Sequence, residues 1–424
     1  MNPDRLEISR ERFTSDLSGL AEITDDSQPG FTRIALSDLY RDGIDWLVKA
    51  MREVGLETRI DSAGNVIGIL PGRGNGPAIV TGSHIDTVKA GGKYDGIVGV
   101  LGALEAVRAL REAGVLLEHP LAVIAFFGEE ANEFGLAHFG SRAIGGTLRE
   151  EHLTLTNRDG ETLAHALRTR AGIDPEKCMQ ARWRPKDMAA YIELHIEQGP
   201  LLEHHGRAVG LVTGIAGAQR FVASVNGRPD HAGNTPMDRR RDALCAAAEL
   251  ALTVEHFANA NPGGVATIGD ITVTPGQSNV VPGTAQLAGD MRSIDMTWLA
   301  DRKHEIEDAA QGVEAKRGVE VSIAWPSITD STLFTDPVQQ VIGSVLRASG
   351  HDPMPITSGA GHDAQEMAML GPAGMIFVPS RDGRSHCPEE HTDLDDLAVG
   401  VRALAETLVA FDATDFRSHD NVWS

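Results

Sequence analysis

The stretch PAIVTGSHIDTVKAGGKYDGIVGVLGALEAVRALREAG (residues 77–114), with LAVIAFF (121–127) after it, decides the fold of this chain. PAIVTG is a short apolar run typical of a buried strand, and residues 96–114 have the length and apolar spacing of a helix. LAVIAFF is a second short apolar run. Strand, loop, helix and strand in this order predict a βαβ unit with parallel strands. Ligands of open α/β sheets bind beyond the carboxyl ends of such strands, where TGSHID and FFGEE lie.

The pattern outside this unit predicts a second, inserted domain. Helices are expected at 8–23 and 36–54 and a strand at 64–70. After residue 206 the pattern becomes βαββαβ, the ferredoxin-like order, with segments at 209–226, 239–257, 265–273, 283–291, 296–316 and 318–325. α/β patterning resumes at 336–349, 374–378 and 393–412. The sequence therefore predicts a catalytic domain (1–208 and 329–424) with a mixed, mainly parallel sheet flanked by helices, and an inserted α+β domain (209–328).

Composition and charge narrow the class of function. The 424 residues carry a net charge of −22, which argues against nucleic acid or anionic membranes as partners. The three cysteines form no CxxC pair, as expected of a reducing, cytoplasmic compartment. The first residues, MNPDRLEISRERF, are too charged for a signal peptide, and no apolar run is long enough to span a membrane. The same charge means that an anionic substrate would need a local cationic clamp.

Ionisable residues cluster in four segments at predicted strand ends or loops: GSHIDT with KYDG (82–96), FFGEEANEFG (126–135), YIELHIEQGP (191–200) and SHCPEEHTD (385–393). Histidine nitrogen and carboxylate oxygen together are the donors that borderline divalent cations prefer. Taken singly, His84 could be an ordinary loop histidine, Glu129-Glu130 a solvated pair and His391 a surface residue. Two adjacent carboxylates directly after the apolar AVIAFF are nevertheless unusual for a solvated pair, so a functional site and ordinary solvated residues are both open readings of these segments.

The order of these segments resembles the metal-dependent amidohydrolases of the M20 peptidase clan. Within the clan, the chain is similar to the branch of N-carbamoyl-L-amino-acid hydrolases, β-ureidopropionases and allantoate amidohydrolases. The resemblance is carried by GSHIDTVKAGGKYDGIVGVL, FFGEEANEFG, IELHIEQGPLLE, VTGIAG, HAGNTPMDRRRDAL, SNVVPG, DMRS, SGAGHDA and MIFVPSRDGRSHCPEEHT, which run in family order. The IELHIEQG segment separates this branch from the peptidases, which usually carry a carboxylate at the position of His195.

The resemblance implies two divalent cations per subunit, Zn²⁺ or alternatively Mn²⁺, Co²⁺ or Ni²⁺. Asp95 would bridge the two ions, since a bridging carboxylate suits the roughly 3.5–4 Å spacing of such pairs. His84 and His195 would complete one site, and Glu130 and His391 the other. Glu129 would be the general base and would pass a proton from the attacking water to the leaving nitrogen. Asp86 would orient His84.

The same resemblance assigns substrate contacts. In the inserted domain, His231 would stabilise the oxyanion, and Asn279 and Arg292 would bind the substrate carboxylate. From the residue pattern alone, His231 could be a packed loop histidine and Arg292 a surface arginine. The remaining contacts would come from the catalytic domain: Gln198, Gly359, Gly361 and His362. Family members are dimers joined through the inserted domain, which closes over the substrate as a lid, so a homodimer is expected.

The expected reaction is hydrolysis of an N-carbamoyl-L-amino acid to amino acid, ammonia and CO₂. Allantoate and N-carbamoyl-β-alanine are alternative substrates, since each offers a carboxylate and a ureido group. A dipeptidase or aminoacylase of the same clan and a metal-stabilised scaffold without turnover are more distant alternatives. Several positions depart from the family pattern, among them Ala90, Lys93 and Glu133. Glu133 is expected to add negative charge near the metals and to alter substrate choice.

Overall fold

The computed structural model of the protein describes residues 6–334 and 336–414. Residues 1–5, 335 and 415–424 of the predicted catalytic domain lie outside the described residues. The chain forms two units: residues 1–213 with 334–424, and residues 214–333. Both boundaries fall a few residues after the predicted 208/209 and 328/329.

The helices follow the predicted amphipathic segments closely and add several short ones. They are α1 (Arg10–Ala21), α2 (Asp38–Glu53), α3 (Ile97–Glu112), α4 (Phe139–Gly145), α5 (Glu150–Leu153), α6 (Leu163–Ala166), α7 (Leu201–His204), α8 (Ala243–Ala260), α9 (Met296–Arg317), α10 (Asp336–Ala348), α11 (Asp363–Met367) and α12 (Leu394–Asp412). No helix within 6–334 or 336–414 is long and apolar enough to cross a membrane.

The strands are β1 (Glu57–Ile60), β2 (Val66–Leu70), β3 (Ala78–His84), β4 (Leu121–Phe126), β5 (Met188–Ile196), β6 (Gly210–Ile215), β7 (Gly217–Asn226), β8 (Asp230–His231), β9 (Gly264–Thr274), β10 (Val280–Val281), β11 (Thr284–Ser293), β12 (Glu320–Thr329), β13 (Thr332–Leu333), β14 (Met354–Ser358) and β15 (Ala373–Val378). Where one strand is predicted within 209–226, the structure has two, β6 and β7, and the boundary between the two units falls within β6, after Thr213.

A mixed sheet forms the centre of the first unit, in the order β1-β2-β4-β3-β5-β15-β6. Its four middle strands are parallel, whereas β1, β2 and β6 run antiparallel to their neighbours. Every residue of β3, β4 and β15 is buried, as expected of parallel strands covered by helices on both faces. The carboxyl ends of β3, β4, β5 and β15 therefore lie along one edge, which positions the candidate site.

Helix α3 packs very closely on the sheet because glycine allows it. A Cβ added at Gly99 would lie 2.5 Å from the carbonyl oxygen of Leu194 in β5, so no larger residue fits there. Apolar side chains of α3 and α12, including Leu101, Leu104 and Leu404, are fully buried in the same core. This packing fixes the start of α3, and with it the loop that carries Asp95.

The second unit contains a four-stranded antiparallel sheet in the order β12-β7-β11-β9, with α8 and α9 in the βαββαβ sequence order. Alternate residues of β7 and β11, such as Phe221, Ala223 and Leu287, are buried in a core with α8 and α9. Arg292 and Asp290 alternate with the buried residues of β11 and so lie on the other face of the sheet. A small ribbon of β8 and β10 carries His231 opposite Val280.

Candidate metal centre and active site

The ends of β3 and β5 bring two histidines to one carboxylate. Nε2 of His195 lies 3.1 Å from Oδ1 of Asp95, and Nε2 of His84 lies 3.7 Å from the same oxygen. All three residues are buried, and their potential ligand atoms lie within 4.8 Å of one another. These two nitrogens and one oxygen suit a borderline divalent cation.

A second group forms on the other oxygen of Asp95. Nε2 of His386 lies 3.0 Å from Oδ2 of Asp95 and 3.3 Å from Oε1 of Glu130. Asp95, Glu130 and His386 again place their potential ligand atoms within 4.8 Å of one another. Asp95 is common to both groups and turns one oxygen to each, which is the arrangement of a bridging carboxylate.

The second group contains His386 and does not include His391, the residue expected from the sequence. Its Nδ1 lies 3.3 Å from the Tyr94 hydroxyl and its Nε2 3.2 Å from Asp393, and it belongs to neither group. Its backbone carbonyl accepts a hydrogen bond from the backbone N–H of Arg381 at 2.8 Å. His386, five residues earlier in the same SHCPEEHTD segment, occupies the position expected of His391.

Both buried imidazoles of the first group have fixed orientations. Nδ1 of His84 lies 3.0 Å from the backbone oxygen of Asp86, and Nδ1 of His195 lies 2.8 Å from the backbone oxygen of Ile196. An imidazole that donates from Nδ1 leaves Nε2 free as a ligand. The Asp86 carboxylate is less direct than expected: it lies 3.6 Å from His84 and accepts hydrogen bonds from the backbone N–H groups of Glu129 and Glu130. Asp86 thus links the β3 loop to the β4 loop.

The pKa values show a strongly negative site. Burial opposes the charged form of His84, but Glu129, Asp86 and Asp95 outweigh it and raise its pKa well above the usual value. Hydrogen bonds to Asp95 and then Glu130 raise the pKa of His386 to about 11. The carboxylates that hold protons on these imidazoles could instead hold divalent cations, whose binding would release those protons.

The backbone of the loop between β3 and α3 is also shaped to leave room for the His84 imidazole beside the candidate metal centre. A Cβ added at Gly96, which has φ +66°, would lie 2.3 Å from Cδ2 and Nε2 of His84. Glycine is therefore required both for the turn and for the imidazole beside it. Glu390, which sequence inspection missed, accepts hydrogen bonds from the backbone N–H groups of Tyr94 and Asp95. Glu390 thereby ties the Asp95 loop to the SHCPEEHTD loop.

Glu129 is a buried carboxylate that belongs to neither group of potential ligands. Its Oε2 lies 3.5 Å from Nε2 of His84, and its Oε1 lies 3.2 Å from Nε2 of His138. Burial raises the pKa of Glu129 well above the usual value, and the carboxylates of Glu130 and Asp95 add to the effect against the attraction of His84. A carboxylate beside, but outside, a candidate metal centre is suited to proton transfer.

The predicted substrate residues of the first unit differ in their surroundings. Gln198 donates from Nε2 to Asp95 (2.6 Å), and its buried Oε1 has no hydrogen-bond partner. His362 is buried, with Nε2 2.8 Å from the Ser358 hydroxyl and its ring 4.4 Å from that of His195. His362 therefore packs directly beside a candidate ligand. Gly359 is exposed, and Gly361 lies against His138.

The remaining predicted substrate residues belong to the second unit. His231 is exposed on β8. The backbone N–H of Ala232, which follows His231 in the chain, donates a hydrogen bond to the backbone oxygen of Asn279. His231 and Asn279 are therefore neighbours across the β8–β10 ribbon. Arg292 on β11 donates from Nε to Asp290 (2.8 Å). The structure thus brings His231 and Asn279 together within this unit.

The expected influence of Glu133 on the metals is not supported by its contacts. Its carboxylate is paired with Arg170 at 2.6 Å and accepts a hydrogen bond from Asn157 at 2.9 Å. Nearly half of the side chain is exposed to solvent. Its charge is compensated locally, so the departure from the family pattern at this position gives no reason to expect altered substrate choice.

The fold agrees with the family to which the chain belongs. Residues 80–410 match the model of peptidase family M20/M25/M40, so the protein is a member of this metal-dependent family. It is 37% identical to an N-carbamoyl-L-amino acid amidohydrolase of Geobacillus stearothermophilus, over 95% of this chain and 98% of that protein. It is 34% identical to an allantoate deiminase of Arabidopsis thaliana, over 95% and 82%. A hydantoinase/carbamoylase family amidase from Burkholderia multivorans superposes with a TM-score of 0.90 at 32% identity, covering 96% of this chain and 99% of the other.

Proposed function

We propose that the protein hydrolyses the carbamoyl C–N bond of an N-carbamoyl-L-amino acid, giving the amino acid, ammonia and CO₂. The observation that carries the proposal is Asp95, whose two oxygens face separate sets of donors while Glu129 beside them belongs to neither set. A structural metal site has no need of an extra buried carboxylate. The amidohydrolase relatives support the choice of a ureido carbon rather than a peptide carbonyl.

Two divalent cations are proposed to bind here, one to His84, His195 and Asp95 and the other to Asp95, Glu130 and His386. Zn²⁺ is the first candidate, and Mn²⁺, Co²⁺ and Ni²⁺ accept the same ligands. When bound, such ions supply Lewis-acid activation of the carbonyl and of water. Glu129 takes a proton from the attacking water and returns it to the leaving nitrogen, so that no net proton is lost. Asp86 holds the loop of this base against the loop of His84.

The proposed substrate contacts are the residues that the family resemblance assigns. Arg292 and Asn279 bind the substrate carboxylate, and His231 stabilises the oxyanion formed at the carbamoyl carbon. Gln198 offers its unpaired Oε1 to a ureido N–H group. Gly359, Gly361 and His362 are proposed as further substrate contacts. A charge-assisted hydrogen bond is worth roughly 1.5–3 kcal/mol, so Arg292→Ala should raise KM about tenfold to a hundredfold and leave the metal content unchanged.

A homodimer through the second unit is part of the proposal. Within the described residues, β9 forms an edge of the antiparallel sheet, and its Val265 and Ile271 are exposed together with Leu252 of α8. An unpaired edge beside apolar side chains is suited to pairing with a second copy. Light scattering should give about twice 45.3 kDa for the protein, and Ile271→Lys should lower that mass. A monomeric wild type at micromolar concentration would contradict the dimer.

A cytoplasmic location is also proposed, supported by three cysteines that form no disulfide.

The reaction is tested by ammonia release from purified protein supplied separately with Zn²⁺, Mn²⁺, Co²⁺ or Ni²⁺. The substrates are several N-carbamoyl-L-amino acids, one D-enantiomer, N-carbamoyl-β-alanine and allantoate, with an N-acetyl amino acid and a dipeptide assayed by amine release. Turnover of the L-series without the D-enantiomer is the expected result. Turnover of allantoate or N-carbamoyl-β-alanine alone would move the assignment to that substrate. Turnover of the dipeptide or acetyl compound alone would overturn it.

A further inference from the structure

His138 is a buried histidine outside both groups of candidate metal ligands, yet it touches the proposed general base. Its Nε2 lies 3.2 Å from Oε1 of Glu129. Its other ring nitrogen has no hydrogen-bond partner and lies 4.0 Å from Glu366. Glu366 is itself held by Arg142 at 3.2 Å and by Thr147. The imidazole therefore stands between a fixed carboxylate and the carboxylate that the mechanism uses.

The backbone holds His138 in this place at a conformational cost. His138 has φ +59° and ψ +33°, the left-handed region that costs most L-residues roughly 1–2 kcal/mol. Its N–H donates to the backbone oxygen of Glu129 at 2.8 Å, and the next residues, Phe139 and Gly140, donate to Gly128 and Phe127. Three consecutive bonds thus close the loop 130–137 and bring His138 back to Glu129. Backbone strain maintained beside reacting groups points to a functional role.

A glycine on another element leaves the space that the imidazole fills. A Cβ added at Gly361 would lie 2.8 Å from Cε1 and 3.0 Å from Nε2 of His138. Gly361 is not in the left-handed region, so the turn itself does not require glycine. The absence of a side chain there is explained by the ring of His138.

We propose that His138 is a positioning residue for Glu129, whose imidazole N–H holds Oε1 so that Oε2 faces His84 and the candidate metal groups. Before it takes a proton, the general base is ionised and only accepts hydrogen bonds, so in that state Nε2 of His138 carries the proton that it donates to Oε1. Burial lowers the pKa of His138 to about 4, which keeps the imidazole neutral at neutral pH. A neutral donor orients the base without the ion pair that would suppress its basicity.

This inference rests on the proposed function, because it assumes that Glu129 is the base. The test compares His138→Leu, which removes the donor, with His138→Gln, which keeps an N–H group of similar reach. His138→Leu should lower kcat roughly tenfold to a hundredfold, the range typical of groups that orient reacting residues, with KM changed less than twofold. His138→Gln should recover most of kcat. Metal content should equal that of the wild type in both variants, and exposed His165→Leu serves as the matched control.

Gly361→Ala gives a second, independent perturbation. It keeps the His138 side chain but pushes its ring away from its position in the wild type. It should lower kcat in the wild-type background and have little further effect when combined with His138→Leu. A kcat of His138→Leu within twofold of the wild type would overturn the inference while leaving the proposed function intact. Equal loss in the Leu and Gln variants, or parallel loss of metal, would show that His138 serves only packing. An inactive wild type that binds metal would overturn both proposals.

Discussion

His386→Ala and His391→Ala should differ sharply in metal binding, although the two histidines lie in one short loop. The second group consists of Asp95, Glu130 and His386, and Nε2 of His386 lies 3.0 Å from Oδ2 of Asp95. Removal of His386 leaves only the two carboxylates as potential ligands. His391 contacts Tyr94 and Asp393 instead. We therefore expect His386→Ala to retain about one cation of two per chain and His391→Ala to retain both.

The magnitude follows from the ligand count. Loss of a group that merely orients a ligand weakens metal binding about 10–100-fold, and loss of a ligand should reach at least the upper end of that range. A hundredfold change corresponds to about 2.7 kcal/mol. The first group, with His84, His195 and Asp95, keeps all its donors in this variant, so the affinity of that site should change little.

The assay is elemental analysis after dialysis against a buffered concentration of Zn²⁺, followed by competition with a chelator to obtain both affinities. The melting temperature of each metal-free variant, measured in parallel, controls for loss of fold. Two cations bound to His386→Ala with unchanged affinity, or loss of one cation from His391→Ala, would refute the assignment of the second group.

Three further predictions concern stability and metal binding. Gly96→Ala should lose metal affinity as well as stability, because the added Cβ meets His84 at 2.3 Å. Gly172 has a similar φ of +68° and open space around an added Cβ, so Gly172→Ala should lose only the roughly 1–2 kcal/mol of backbone strain. Equal metal affinity in the two variants would contradict this prediction. Ala90→Asn should raise the free energy of unfolding by about 0.5 kcal/mol in denaturant titrations, since Ala90 has φ +55° and asparagine tolerates this region better than alanine; a loss of stability would show that side-chain contacts dominate there. Burial, together with the negative charges of Asp393 and Asp395, raises the pKa of Asp396 to about 6. The protonated carboxyl group therefore contributes its full stabilisation below about pH 4, and this contribution is lost as the pH rises through 6. Asp396→Asn should accordingly be more stable than the wild type at pH 7 but not at pH 4, and an equal difference at both pH values would refute the assignment.

Sequence inspection succeeded where apolar periodicity is strong. Helix α2, predicted at 36–54, spans Asp38–Glu53, and α3, predicted at 96–114, spans Ile97–Glu112. The strand β5 carries Glu193 and His195 within a fully buried run and was noticed only for its ionisable residues. The exposed edge strand β1 has no apolar alternation and was not predicted. Helices and strands were therefore predicted where their buried side chains are apolar, and they were missed where those side chains are ionisable or where the strand is exposed.

The candidate site was predictable in its ligand types but not in every residue. His84, Glu130 and His195 lie at or shortly after strand ends, and Asp95 lies just before α3, so the order of elements along the chain predicts that they meet. The choice between His386 and His391 depends on the backbone of the last loop, in which His386 has φ +56° and His391 is tied to Arg381. No spacing rule expresses those conformations. The residues that act through the backbone, such as Glu390, were invisible for the same reason.

The central claim is that Glu129 performs the proton transfer without binding metal, and Glu129→Gln tests it most directly. The measurement is kcat for an N-carbamoyl-L-amino acid together with metal content, with Glu133→Gln as the control because its carboxylate is paired with Arg170 on the surface. We expect Glu129→Gln to lose at least roughly a hundredfold in kcat while retaining two cations, and the control to show near-normal turnover. Full activity of Glu129→Gln, or loss of a cation from it, would contradict the account.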